Sequence, residues 1–336
     1  VEKSFYGTQK MILAADIGGT ITRLLLSEWD GQRWMSQRQT VLASQDYPTF
    51  EAALAQFLLP DDKVEAACLA LAGPVLRQRC VVTHLPWMLD GPALQAHYGF
   101  PVVLINDFVA MAHGLPALSS EDLLTLQAGE PQVGVSQVNG VQLLVGAGTG
   151  LGIATRITCG EQVYVVESEG GHADFAPHGD QQQALQIDLQ ARLGTVSLET
   201  VVSGKGLENI YRHCNGFSDS AIAMTAADIS VAAQQGDASA LAAMKLFVEC
   251  YGSTVGNLAL VNVPLGGVYI CGGVAAKNAA FMRDGRFISA FCAKPNMRAL
   301  LEKVPVHLVL NEKLGLLGAA EYAAAFLRSR ENQLLQ

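Results

Sequence analysis

Apolar positions along this chain repeat in two ways, and the alternation between them sets the first expectation for its fold. Short unbroken apolar runs read as strands; stretches with apolar residues three or four apart read as helices. Met11–Asp16, Arg23–Trp29 and Arg33–Leu42, joined at Gly18-Gly19 and Asp30-Gly31, predict an antiparallel meander. Tyr47–Leu59 carries Phe50, Leu54 and Phe57/Leu58 on one face and predicts a helix. Val64–Ala72 is a continuous apolar strand ending in Gly73-Pro74, and Asp90–Tyr98 a helix closed by Gly99. Pro101–Ile105 is the next buried strand, and Phe108–Gly114 begins a helix.

The order starts again after about residue 118. Val141–Val145 reads as a strand, Gly146–Gly150 as a glycine turn, and Leu151–Ile157 and Glu161–Val166 as further strands. Helices are predicted over Gln181–Leu193, Gly206–His213, Ala226–Gln234 and Ala238–Asn262. In the last, Gly252 and Gly256 interrupt the pattern and permit either close packing or a bend. Val268–Cys271 and Val306–Leu310 are strands, and Leu314–Leu327 is an Ala-rich helix. A meander, a glycine turn and an α/β segment thus occur in each half, which predicts a duplicated α/β domain. The unbroken apolar runs fit strands buried on both faces. No low-complexity linker separates the halves, so hinges are expected near 114–120 and 311–315.

Composition narrows the function. Half of the 336 residues are hydrophobic and 16% are charged, enough apolar material for a large core and a length that favours two domains. No apolar run approaches the roughly 18 residues of a membrane span. The opening VEKSFYGTQK lacks a signal peptide's apolar stretch, and no DNA-binding extension is expected ahead of Met11. The net charge of -9, without a Lys/Arg cluster, argues against nucleic acid or an anionic membrane as partner. Seven scattered cysteines without a CxxC pair read as reduced core thiols of a cytoplasmic protein, not as structural zinc ligands.

Three glycine junctions and one carboxylate carry the candidate chemistry. In AADIGGT, Gly18 and Gly19 leave backbone N–H groups open to phosphate, Thr20 adds a hydroxyl, and Asp16 is placed to reach a nucleotide-bound magnesium through water. Taken alone, this stretch fits an ordinary hairpin equally well. VGAGTGLG, with Gly148, Thr149 and Gly150, is a second such turn; no Gly-Lys-Ser/Thr follows it and a strand comes next, so it is neither a Walker loop nor a Rossmann fingerprint. Gly272-Gly273 in YICGGV is a third junction, bare enough for adenine and ribose to lie on it. In LINDFVA, Asn106 and Asp107 set a carboxylate at the end of an apolar strand. One base and two phosphate turns point to phosphoryl transfer from a nucleotide to a hydroxyl.

The ordered set DIGGT, LAGPV, LINDF, GAGTGLG, SEGGHADF, SGKGL, ICGGV and GLLGAAEYA resembles the bacterial glucokinase family, from about residue 11 to 327. The resemblance implies the actin-like/ribonuclease H-like ATPase fold: two α/β domains with mixed five-stranded sheets flanked by helices, around an interdomain cleft. It assigns 1–117 plus the C-terminal helix 314–330 to a small domain and 118–313 to a large one. It implies ATP- and Mg²⁺-dependent phosphorylation of the glucose 6-hydroxyl to glucose 6-phosphate, and a homodimer. Asp107 falls on the family's catalytic aspartate, and Asn106, Glu169, His172 and Glu199 on its sugar ligands. Carboxylates and an amide suit a ring of hydroxyls that donate and accept. Outside this motif order, Glu169 also reads as a solvated acid and His172 as a core histidine.

Three positions depart from the family pattern: Ile21 for a polar residue, His84 for the usual Asn, and Lys205 for a common Pro. His84 puts hexose choice in question, so a kinase for mannose, fructose or an amino sugar is the nearest alternative. A sugar-binding regulator without turnover should lack the base or a phosphate turn, and an NAD-dependent oxidoreductase should show a Rossmann fingerprint; neither condition is met.

Overall fold

The computed structural model describes residues 10–30, 32–130, 140–160, 162–216 and 224–334, with side chains to 330. The opening residues, Gly31 of the expected Asp30-Gly31 turn, and Glu161 of the expected Glu161–Val166 strand lie outside it. The chain divides into two compact units, Val1–Leu118 with Lys313–Gln336, and Ser119–Glu312.

In the first unit the meander consists of β1 (Met11–Ile17), β2 (Ile21–Trp29) and β3 (Trp34–Ala43). Strand β4 (Val64–Leu71) pairs parallel to β1. A small hairpin of β5 (Arg79–Val81) and β6 (Met88–Asp90), not expected from the sequence pattern, precedes β7 (Val102–Asn106), which pairs parallel to β4. The sheet order is β3-β2-β1-β4-β7. Both faces are covered. Phe50, Leu54, Trp87 and Leu94 pack on one, and Ala110, Leu316, Ala319, Ala323 and Leu327 on the other. Ala66 through Leu71 are consequently all buried, which is why β4 reads as an unbroken apolar run.

The predicted helix Tyr47–Leu59 is shorter, Phe50–Ala55. Pro48 restricts Tyr47 to an extended backbone, with φ -120° and ψ 134°. Thr49 then caps the helix by accepting from the Ala52 N–H at 3.2 Å. The helix Asp107–Gly114 starts at Asn106, whose side-chain oxygen accepts from the Phe108 N–H at 2.9 Å. The helix Leu314–Leu334 crosses it at close range. A methyl group on Gly318 would run into the Ala110 carbonyl, and one on Gly114 would lie 2.6 Å from the Leu314 carbonyl oxygen.

The second unit begins with β8 (Leu123–Gln127), followed by a second meander of β9 (Gly140–Ala147), β10 (Leu151–Cys159) and β11 (Gln162–Ser168). Strands β12 (Val268–Cys271) and β13 (Val306–Val309) run parallel to β9. The order β11-β10-β9-β12-β13 repeats that of the first sheet strand for strand, but β8 adds a sixth strand at the edge, antiparallel to β13. The expectation of five strands is therefore corrected for this sheet. Only Leu124 and Leu126 of β8 pack against the core, too brief a pattern to register as a strand.

The helix Ala238–Asn262 is continuous through Gly252 and Gly256. Side chains there would strike the Phe287 and Phe291 carbonyls of the helix Arg286–Phe291, so the two glycines serve close packing and not a bend. All seven cysteines are free; Cys159 and Cys214 are exposed and the other five buried. Among the described residues no helix is long and apolar enough to cross a membrane.

The glycine crossing yields a prediction. Gly318→Val forces a branched side chain into the Ala110 carbonyl, an overpacking that costs roughly 1–3 kcal/mol or more. Thermal unfolding should show a clear loss of Tm, whereas a valine at the exposed Gly216, where a β-carbon meets nothing within 4 Å, should cost less even with its positive φ.

Candidate active site

Asp107 stands at the junction where β7 ends and its helix begins. Its Oδ1 accepts from the Phe108 N–H at 3.0 Å. Burial pushes its carboxyl up to about 7, and the Asp16 carboxylate adds to the rise; the hydrogen bonds from Phe108 and Asn106 oppose it. Asp16 is placed by the parallel register, in which Asp16 aligns with Ala70 and Ala70 with Ile105. Its carboxyl is also raised by burial, against the pull of the Arg23 guanidinium at 3.7 Å. Gly315 abuts it: a β-carbon there would lie 3.2 Å from the Asp16 carboxyl carbon. Asn106 donates through Nδ2 to the Gly73 carbonyl at 3.2 Å.

The turn Gly18–Thr20 is braced from outside. Gly18 N–H donates to the Ile21 carbonyl at 3.0 Å, and Ser44 donates through Oγ to the Gly18 carbonyl at 2.8 Å and through N–H to the Thr20 carbonyl at 2.9 Å. Thr20 itself is exposed. Gly19 is pressed against the loop of Thr83 and His84; a β-carbon on it would lie 2.7 Å from the Thr83 carbonyl oxygen and 3.1 Å from His84 Cβ. His84 therefore borders the first glycine turn, with φ at 63°.

The second unit gathers the remaining candidates into two neighbouring clusters. At the first, Glu199 Oε2 accepts from the Leu151 N–H at 2.8 Å, and its carboxylate fills the space a side chain on Gly150 would need. Glu199 sits in the short helix Leu198–Val201, whose first N–H donates to the Ala173 carbonyl at 2.8 Å. The Gly170–His172 turn docks in turn on β10, since Gly171 lies against the Leu151 carbonyl. Glu169 and His172 project from that turn, 71% and 65% exposed, with Oε2 and Nε2 3.9 Å apart. His172 is thus no core histidine.

At the second cluster, the Gly148 carbonyl accepts from the Gly204 N–H at 2.8 Å, so the helix Gly204–Cys214 begins on the glycine turn. Gly272, with φ at 90°, lies against the Ala147 carbonyl and leads into Gly273. Gly148 and Gly273 differ from the other glycines here. A β-carbon at either would meet nothing within 4 Å, and Thr149 beside them is exposed. These backbone surfaces stay bare without any packing reason, which suits a ligand that lies against them. A helix N-terminus and glycine N–H groups favour an anion there.

Ser203 and Gly204 did not stand out in the sequence as site residues. The signal was present: a Ser, buried here and accepting from the Gly206 N–H at 2.9 Å, followed by Gly in the first turn of a helix. Gly315 was likewise missed, and only its contact with Asp16 reveals it.

A family model described as Glucokinase matches residues 13–326. The chain belongs to the glucokinase family. A protein named glucokinase from Nostoc punctiforme is 37% identical over 94% of this chain and 99% of its own length. Among solved structures, the glucokinase from an Antarctic psychrotroph superposes with a TM-score of 0.81 at 32% identity, covering 94% of this chain and 99% of that one. A ROK family glucokinase from Streptomyces griseus, solved in complex with glucose and AMPPNP, gives 0.59 at 22% identity over 94% and 99%. The repeated sheet is accordingly the actin-like ATPase fold of the glucokinases and their sugar-kinase relatives.

For this glucokinase family member, the open and packed glycines predict different outcomes. Gly148→Val should fold normally and raise the KM for ATP, because its side chain would cover the bare surface that suits a ligand. Gly272→Val should lose stability, since it combines a backbone clash with a left-handed φ. Melting curves and ATP titrations of both variants check this; an unchanged ATP dependence for a folded Gly148→Val would refute the ligand role.

Proposed function

We propose that this chain transfers the γ-phosphoryl group of ATP to the 6-hydroxyl of D-glucose, with Asp107 as the general base. The observation that carries the reading is the Asp107 carboxyl itself, half-buried where β7 ends and raised to about 7. A base near the working pH both holds its charge and accepts a proton readily. As the sugar oxygen bonds to phosphorus, the bond to the ADP oxygen breaks and the hydroxyl proton passes to Asp107. Asn106, Glu169, His172 and Glu199 serve as hydroxyl ligands; Gly18, Gly19, Thr20, Gly148, Thr149 and Gly150 hold phosphate, and Gly272 and Gly273 the nucleoside. Family membership and the nucleotide-analogue complex of a relative support ATP as donor.

Magnesium fits the residues present. Asp16 offers a hard oxygen ligand next to a second carboxylate that repels it, and a dication relieves that repulsion. No group of three or more His, Cys, Asp or Glu side chains able to hold a metal occurs among the described residues. Asp16 would therefore hold the ion through water, with phosphate oxygens completing its shell, and the ion would neutralise charge on the transferred group. A reducing cytoplasm and a homodimer complete the reading; light scattering tests the dimer.

Asp107→Asn should keep sugar binding and lose about a hundredfold or more in kcat, because an amide cannot take the proton. Near-parental turnover would rule out the base. Glu169→Gln and His172→Ala should weaken glucose binding by roughly 1–3 kcal/mol each while leaving the KM for ATP nearly unchanged. The pH dependence has a definite sign. The base works deprotonated, so kcat/KM should fall as pH drops through about 7 and level off above it. A profile flat from pH 8 to 5 would contradict the assignment.

A further inference from the structure

Strand β7, which hands the chain to Asp107, is the edge of the first sheet and pairs with β4 on one side only. An open edge leaves peptide groups without partners. At Leu104 a side chain closes it. The Gln78 amide oxygen accepts from the Leu104 N–H at 2.8 Å, and its Nε2 donates to the Leu104 carbonyl at 3.1 Å. The amide thus does for β7 what a neighbouring strand would do. Two residues further on, Asn106 donates to the Gly73 carbonyl. The loop from Gly73 to Gln78 therefore grips β7 at two points just ahead of the base.

The backbone at Gln78 does not explain its presence. Arg77 and Gln78 have φ of 52° and 59°. They close a tight turn in which Leu76 and Arg79 exchange both backbone hydrogen bonds, at 2.9 and 3.0 Å. Two successive left-handed residues favour pairs such as Asn-Gly. Glycine would suit position 78 better but carries no amide. Strain of this kind persists where the surroundings demand it. The Gln78 carbonyl also accepts from the Gly91 N–H at 2.9 Å, which anchors the turn to the start of the helix Gly91–Tyr98.

We propose that Gln78 is a positioning residue for phosphoryl transfer: its amide completes the free edge of β7 and fixes where that strand delivers Asp107. The inference rests on Asp107 as the base. Small displacements of a reacting group cost large factors in rate, so the effect belongs in kcat and not in substrate affinity.

Gln78→Gly, Gln78→Met and the control Arg77→Gly test it. In both Gln78 variants the Leu104 amide should exchange hydrogen about tenfold faster or more, and kcat should fall about tenfold, with KM for glucose and ATP within about twofold of the parent. Arg77→Gly, which relieves the same turn and leaves the amide in place, should match the parent in both. Gln78→Met retains the side-chain length, so it decides the matter if Gln78→Gly fails to fold. Parental kcat in a folded Gln78 variant, unchanged exchange at Leu104, or a rise in both KM values at parental kcat would each overturn the proposal. The exchange readout does not involve the base, and loss of turnover in Asp107→Asn establishes the base separately. A null result confined to Gln78 therefore strikes only the positioning role.

Discussion

The structure depends on holding two carboxylates, Asp16 and Asp107, close enough to repel while both are partly withdrawn from water. Such a pair is unfavourable and survives only on a scaffold that cannot relax. The parallel pairing of β1, β4 and β7 provides it. Ile17 aligns with Leu71 and Leu71 with Asn106, so one register row brings both acids to the same end of the sheet. The row is fixed because β4 is buried on both faces, and a slip by one residue would turn every side chain to the wrong face. The elements around the pair then read as supports: the Asn106 cap, the Gly315 approach and the close crossing at Gly114 and Gly318.

Glycine has distinct uses in this chain beyond its positive-φ turns, and the surroundings of each residue separate them. Gly150, Gly171, Gly206, Gly252, Gly256, Gly272 and Gly318 lie against backbone or carboxylate oxygens, and their lack of a side chain is a packing requirement. Gly148 and Gly273 have nothing near them. Unlike open glycines such as Gly99 and Gly216, these two have no positive φ to account for them, so their bare surface suits a ligand. Gly150 shows why the distinction matters. In the sequence it reads as part of a phosphate turn, yet in the structure its nearest neighbour is the Glu199 carboxylate. Its glycine is needed so that a sugar-ligand candidate can press against the turn.

The sequence made the strands and the carboxylate legible because those depend on local order. Unbroken apolar runs follow from two-sided burial, and Asn106-Asp107 follows directly on such a run. It concealed what depends on pairing at a distance. The edge strand β8 has too few core contacts to show a period, and Tyr47–Leu59 kept a helical face although Pro48 sets its true start at Phe50. Gly204, Gly315 and Gln78 act through partners 56, 299 and 26 residues away, at Gly148, Asp16 and Leu104. No pattern local to any of them carries that information. Residues at Glu169 and His172 were assignable only through the motif order, since an exposed acid and an exposed imidazole have no signature of their own.

The two sheets share strand order but have diverged at corresponding turns, and the divergence follows the chemistry. The turn after β1 is preceded by Asp16, while the turn after β9 is preceded by Gly146-Ala147. β7 ends at Asn106 and Asp107 opens a helix directly after it, whereas after β13 the second unit has Leu310-Asn311 and no acid until Glu312. The acids beside the first turn can share a cation and a proton, whereas the acid beside the second, Glu199, is tied to the Leu151 N–H. In the second unit the Gly148 end of the turn meets the N-terminus of the helix Gly204–Cys214, which favours an anion, while the Gly150 end meets the Glu199 carboxylate. The two turns hold the same place in the strand order, and the groups beside each suit them to different parts of the proposed reaction.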